Sequence, residues 1–286
     1  MFGECHAHLI MDGKNYKAAV ALHQTEVQDW AIRQHLKEWQ EAGVTFVRDG
    51  GDARGVSRRA MDLAPEYGID YRTPIFAIHK KGHYGGIVGF AFEDWKEYRK
   101  LVQRVRKEGG TFIKIMISGI MDFGVFGSLS EPGLTAEEIR VMIEIAHDAG
   151  FAVMAHGNGT KTVSAAIEAG VDTIEHGNYL DEEVLHQLAE SRTIWIPTLA
   201  PTGNLLGCGR FPDEAVSQIL EQQLRNVGQA FALGAHIGLG SDAGAYLVPH
   251  GQGILDEFEY MKRAVSDENA LRCRIREAED EIKRLF

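Results

Sequence analysis

The chain has 286 residues, enough to bury a sizeable core as one large domain or two small ones. Apolar residues make up 44% and charged residues 25%, an ordinary globular composition, and the formal net charge of −11 argues against a nucleic-acid surface or docking on anionic membranes. Cys5, Cys208 and Cys273 lack CxxC spacing and read as reduced thiols; with no signal-like opening and no apolar run of membrane-spanning length, a cytoplasmic location is the default expectation.

The first predicted strand, in FGECHAHL, carries His6 and His8. Strand side chains alternate in direction, so both imidazoles face one side, about 7 Å apart and within reach of one metal ion. By the same alternation Cys5 and Ala7 face the surrounding helices. The second strand is VTFVRDG around Val47 and the third IDYRTPIFAI, ending at Ile78, followed by a long connection, HKKGHYGGIVGFAFEDW. The fourth strand, TFIKIMIS, holds Lys114 amid apolar residues, a costly placement unless the amine is paired or modified. Alternation groups it with Phe112 and Met116, on the barrel-inward face, while Ile113, Ile115 and Ile117 face the helices. The glycine-rich SGIMDFGVFGSLSEPGL follows and reads as a lid.

EEIRVMIEIAHDAG has the apolar spacing of a helix, opened by a capping box at Thr135 and Glu138 and stopped at Gly150; Gly43 and Gly170 stop helices of their own. The fifth strand ends at His156, and the sixth, VDTIEHG, at Gly177 just past His176. The seventh is TIWIPTL around Trp195, followed by a second long connection, APTGNLLGCGRFPDE. The eighth, HIGLGSDA, carries Asp242. Residues from about 266 to 286 read as a charged terminal helix, solvated on most faces.

Strict alternation of strand and helix predicts an α/β fold with a parallel sheet, and eight units predict a (β/α)8 TIM barrel occupying residues 1–286 as a single domain. No GxGxxG follows the first strand, which disfavours an open doubly wound sheet. The strand ends of a barrel converge on one mouth, where His6, His8, Lys114, His156, His176 and Asp242 would gather; neutral imidazoles and carboxylates suit zinc, manganese or iron. His23, His35, His147 and His186 fall on helices and read as surface residues. His250 is placed near the mouth, and His236 precedes the eighth strand at the opposite end.

This order of ligand types resembles the amidohydrolase superfamily of the binuclear type. IKIMISG, EEIRVMIEIAHDAG, AAIEAGVDTIEHGNYLDEE and GSDAG resemble its prolidase-like and imidazolonepropionase-like branch, over roughly His6 to Gly253. The resemblance implies a metal-dependent hydrolase that cleaves a carbon–nitrogen bond, amide or peptide-like, through a metal-bridging hydroxide. Its substrate would be a small molecule such as a dipeptide or an N-acyl amino acid. It implies two divalent ions, zinc with manganese or iron as alternatives. His6, His8 and Asp242 would hold the more buried ion, and His156 and His176 the more exposed one. Lys114, carboxylated on its side-chain nitrogen, would bridge both. A cationic lysine between two dications would be repelled, whereas a carbamate is anionic and offers two oxygens.

Asp242 would move the proton from the attacking hydroxide to the leaving nitrogen, and His83 and Tyr179 would contact substrate. Lys80, Lys81 and Arg210 are loop cations available to a substrate carboxylate. Two departures from the family pattern stand out: the accessory β-sandwich has no matching segments, and the fifth strand ends in HGNG, with Asn158 a poor metal ligand. The same centre would also serve a lactone, cyclic amide or phosphotriester hydrolase. A non-catalytic metal-binding scaffold is the reading from another class, and homo-oligomerisation is left open.

Overall fold

In the computed structural model, which describes residues 2–286, strand and helix alternate along the chain. The strands are β1 (Glu4–Ala7), β2 (Phe46–Asp49), β3 (Asp70–Arg72), β4 (Ala77–Lys80), β5 (Gly89–Phe92), β6 (Ile113–Met116), β7 (Val153–Gly157), β8 (Thr173–His176) and β9 (Ile194–Ile196). They form two parallel sheets, in the orders β1-β2-β3 and β5-β4-β6-β7-β8-β9. Local contacts join the two. Thr73, just past β3, accepts the N–H of Thr111 ahead of β6 at 3.0 Å. At the far edge, residues 237–243 bridge to β9 (Trp195 with Ile237) and to β1 (Ala7 with Ala243). The N–H of His8 donates to Ala243 and that of Asp242 to His6, at 2.7 and 2.8 Å. The pairing therefore runs around the eight-membered ring of a (β/α)8 barrel.

The predicted third strand is broken in two. Pro74 offers no N–H to a ladder and Ile75 has φ of 70°, so residues 73–76 leave the sheet between β3 and β4. The connection after it contains β5, which adds to one edge of β4; four residues are too few for periodicity to reveal. The glycine-rich eighth strand is reduced to isolated bridges. The helix Ala136–Asp148 opens with the expected capping box, and Gly150 beyond it has φ of 76°.

Cys5 departs from the alternation read from the sequence. Glu4 pairs with Val47 but Ala7 with Asp49, three steps on one strand against two on the other, which is a β-bulge. The extra residue reverses the facing below it. Cys5 packs inside the barrel floor with Phe112 and Met154, and the Glu4 carboxylate instead accepts the N–H and hydroxyl of Ser241 at 2.8 and 2.5 Å.

The terminal helix Glu268–Leu285 buries a single face and leaves its other positions exposed or half-buried. Leu271, Ile275, Ala278 and Ile282 form a buried stripe at helical spacing. Ala278, Ile282 and Phe286 join Phe46, Phe112, Met154, Ile194 and Ile196 in one apolar cluster that closes the N-terminal end of the barrel. Glu279 accepts the Gly3 N–H at 2.8 Å, and Arg274 donates to the carbonyl of Ala235 at 2.6 Å, which ties the helix to the starts of the first and eighth strands. Ile282→Ala is expected to cost about 2–5 kcal/mol in urea unfolding. A loss below about 0.5 kcal/mol, the ordinary surface value, would refute the plug. No helix among the described residues is long and apolar enough to cross a membrane.

Candidate metal centre

The C-terminal ends of the strands surround a cavity of about 560 Å³ whose wall includes His8, Lys114, His156, His176 and Asp242. His6 lies just beneath, fully buried, with its ring centroid 5.4 Å from that of His8 and 5.0 Å from that of His176. The rings of His156 and His176 are 4.7 Å apart. The Asp242 carboxylate lies 3.6 Å from His6 Nε2 and 3.7 Å from His8 Nε2, and one ligand atom from each of these three residues lies within 4.8 Å of the others. The six residues singled out in the sequence thus converge on one barrel mouth. Gly50 leaves room for this: a Cβ there would stand 2.3 Å from the His8 ring.

Three of the four imidazoles have a hydrogen-bonding neighbour that fixes the ring. His6 Nδ1 donates to Glu175 at 2.6 Å, which directs Nε2 toward Asp242. His176 Nδ1 meets Thr198 Oγ1 at 2.7 Å, and His156 Nε2 lies 3.2 Å from the Gly119 carbonyl. His176 and Asp242 both have positive φ, 67° and 58°, a strained conformation outside glycine that concentrates at functional sites.

Burial, with neighbouring positive charge second, pushes His8 and His156 down to about 3 and His6 and His176 well below the ordinary histidine value, so all four rings are neutral and carry a free lone pair. Burial also lowers Lys114 to about 8 and raises Asp242 to about 7. His6 Nε2 and Lys114 Nζ are buried without a hydrogen-bond partner, and His8 turns Nε2 toward the same carboxylate. Such atoms are rare in folded proteins, and two at one mouth beside a carboxylate and further neutral imidazoles fit a set of donors for divalent cations.

Two residues that sequence reasoning passed over hold this arrangement. Arg48, on β2 and fully buried, crosses the barrel to Glu175 on β8 at 2.8 Å. It also donates to Thr173 Oγ1 at 2.9 Å and to the Cys5 carbonyl at 2.8 Å, with the Phe286 ring 4.5 Å away. The signal was present: both are charged residues inside apolar strands, like Lys114. Asn158 is bound at both ends, its amide donating to Gly119 at 3.0 Å and its oxygen accepting from Asn178 at 2.9 Å, so it braces β7 against the loop after β8.

His83 and Tyr179 lie off the cavity wall, His83 at 3.3 Å from Glu131 and Tyr179 packed edge-on against Phe126. His250 turns away from the mouth; it is buried with Nε2 on the Met11 carbonyl at 2.8 Å. His23, expected on the surface, is also buried, and its ring accepts the Gln28 N–H at 3.1 Å. Lys80 and Lys81 pair with Glu138 and Glu93, whereas Arg210 is on the cavity wall.

Residues 3–274 match the model of the amidohydrolase family. An uncharacterised protein of Mycobacterium tuberculosis is 29% identical over 243 residues, covering 82% of this chain and 63% of its own length. The chain thus spans less than two thirds of that relative. Ochratoxinase of Aspergillus niger is 29% identical over 157 residues, 51% of this chain and 32% of that protein. Its crystal structure superposes with a TM-score of 0.74 at 20% identity, covering 93% of this chain and 68% of that one. A Xaa-Pro dipeptidase with bound methionine in the active site gives 0.73 at 24% identity, covering 94% and 71%.

Proposed function

Because this chain belongs to the amidohydrolase family, we propose that it is a metal-dependent hydrolase of carbon–nitrogen bonds, acting on an amide- or peptide-like substrate such as a dipeptide or N-acyl amino acid. The observation that carries the proposal is the convergence of His6 Nε2 and His8 Nε2 on the Asp242 carboxylate, with His6 Nε2 and Lys114 Nζ buried and without a hydrogen-bond partner. His6, His8 and Asp242 would hold one divalent ion, zinc in the first instance, and His156 and His176 a second. Lys114, carboxylated, would lie between them. An amine lowered to about 8 is partly neutral near pH 7, the form that adds to carbon dioxide. The names of the ochratoxinase and the Xaa-Pro dipeptidase support the amide reading over a lactone or phosphotriester. In this reading residues 2–286 act as one barrel unit.

When bound, such ions lower the pKa of a bound water toward 7 and polarise a carbonyl. The chain supplies the rest. Glu175 and Thr198 hold two imidazoles in a single orientation, and Asp242 moves the proton. One water is consumed: its oxygen joins the carbonyl carbon, the carbon–nitrogen bond breaks, and Asp242 delivers the proton to the departing nitrogen.

The test is metal analysis of protein loaded with zinc or manganese, with turnover of dipeptides, N-acyl amino acids and lactones measured before and after chelation. We expect two ions per chain, amide cleavage lost on chelation, and a carbamate signal from Lys114 after incubation with ¹³C-bicarbonate. Lys114→Met should hold no more than one ion and lose nearly all activity. A chain that retains no metal under replete conditions, or that holds metal yet cleaves no amide, overturns the reading.

A further inference from the structure

The cavity wall is unequal in chemistry around its circumference. Asp242 is its one acidic residue among the described residues, although the chain carries a net charge of −11. Lys14, Lys17 and Arg210 also lie on the wall, and none of them makes an ion pair among the described residues. They share one sector. The N–H of Gly13 donates to Gly244 at 3.1 Å and its carbonyl accepts from Leu247 at 2.7 Å, so the segment leading into Lys14 is stitched to the loop that carries Tyr246. Arg210 stacks on the Tyr246 ring at 4.5 Å.

Two further wall residues, Thr202 and Gln223, follow β9 as Arg210 does. Both are at least nine-tenths buried, and Thr202 Oγ1 and Gln223 Oε1 have no partner. The connections after β4 and β6 line the wall with Tyr84, Ile87, Val88, Ile120, Met121 and Phe123, and they meet the cationic sector where the Phe123 ring lies 5.6 Å from that of Phe211, next to Arg210.

We propose that Arg210, with Lys14 and Lys17, forms a subsite for a free carboxylate on the substrate, while a large apolar group lies against the wall of the connections after β4 and β6. The substrate class is an amide of an amino acid with a free carboxylate and a bulky apolar substituent. This rests on the hydrolase reading for the cleavage step, but not for the binding step. His83 and Tyr179 do not supply the subsite, because they stand off the wall. Three cations without carboxylate partners favour an anion, and a guanidinium accepts a carboxylate in a two-pronged geometry.

The probes are N-benzoyl-phenylalanine and its neutral C-terminal amide, with benzoate release and calorimetric binding measured on metal-loaded and metal-free protein. The acid is expected to be preferred in kcat/KM by about 10- to 100-fold, the range for a hydrogen bond to a charged group, and to lose affinity as salt rises. Arg210→Gln should collapse the acid-to-amide ratio mainly through KM. Arg210 is exposed, so the variant will fold. Equal handling of acid and amide, or a preference that survives Arg210→Gln, overturns the subsite and leaves the hydrolase reading standing. Binding of the acid that Arg210→Gln abolishes, without cleavage by the loaded protein, keeps the subsite and counts against the cleavage step. Absence of binding to either probe overturns the subsite.

Discussion

Asp242→Asn is expected to lower kcat about a hundred- to ten-thousand-fold, the range supplied by a positioned acid–base group. Asn has nearly the same shape, so the fold and the positive φ at this position should survive. What the variant loses is the ability to accept a proton and hand it on. The carboxylate also stands 3.6 and 3.7 Å from the His6 and His8 nitrogens, so some loss of metal is expected as well. Metal content, unfolding midpoint and turnover should be measured on the same sample. An unchanged midpoint with turnover reduced beyond the loss of metal supports the shuttle. Activity within a few-fold of the parent protein would remove Asp242 from the mechanism.

Glu175→Gln is expected to destabilise the protein by about 3–5 kcal/mol, because it leaves the Arg48 guanidinium buried without its countercharge. Both side chains are fully inaccessible and 2.8 Å apart. The same substitution frees His6 Nδ1 from its carboxylate, so metal affinity should fall about 10- to 100-fold, as when the partner behind a ligating histidine is removed. The two effects separate in a double-mutant cycle. Arg48→Met combined with Glu175→Gln should cost less than the sum of the single changes in urea unfolding, since no lone charge remains. Metal affinity should remain weak in the double variant, because the His6 contact is still missing. Additive stabilities would show that Arg48 and Glu175 are not coupled, and wild-type metal affinity in Glu175→Gln would show that Glu175 does not hold the His6 ring.

The strand ends were legible because the signal is local. His-x-His on an apolar strand, a lysine amid isoleucines, and histidines followed by glycine each mark a place where a short segment breaks its own hydrophobic rule. The capping box at Thr135 and Glu138 is legible for the same reason, since its two partners lie one helical turn apart. The break at Pro74 was legible in principle from the missing N–H, yet the apolar run around it hid the boundary.

Other features depend on neighbours far along the chain. The bulge that turns Cys5 inward exists only when β1 pairs with β2. Glu175 holds His6 across 169 positions and Arg48 across 127. The charged helix Glu268–Leu285 becomes a floor only because the ring above it presents an apolar cluster. Whether Lys80, Lys81 or Arg210 could meet a ligand was settled by which of them found a carboxylate nearby. By itself the sequence determined the alternation of strand and helix and pointed to six residues near the strand ends, since periodicity of two and of 3.6 is written into adjacent positions. Tertiary structure alone decided which charges are paired, which face of each element is inward, and which loop residues reach the cavity, because these follow from closing the ring, which brings distant segments within van der Waals contact.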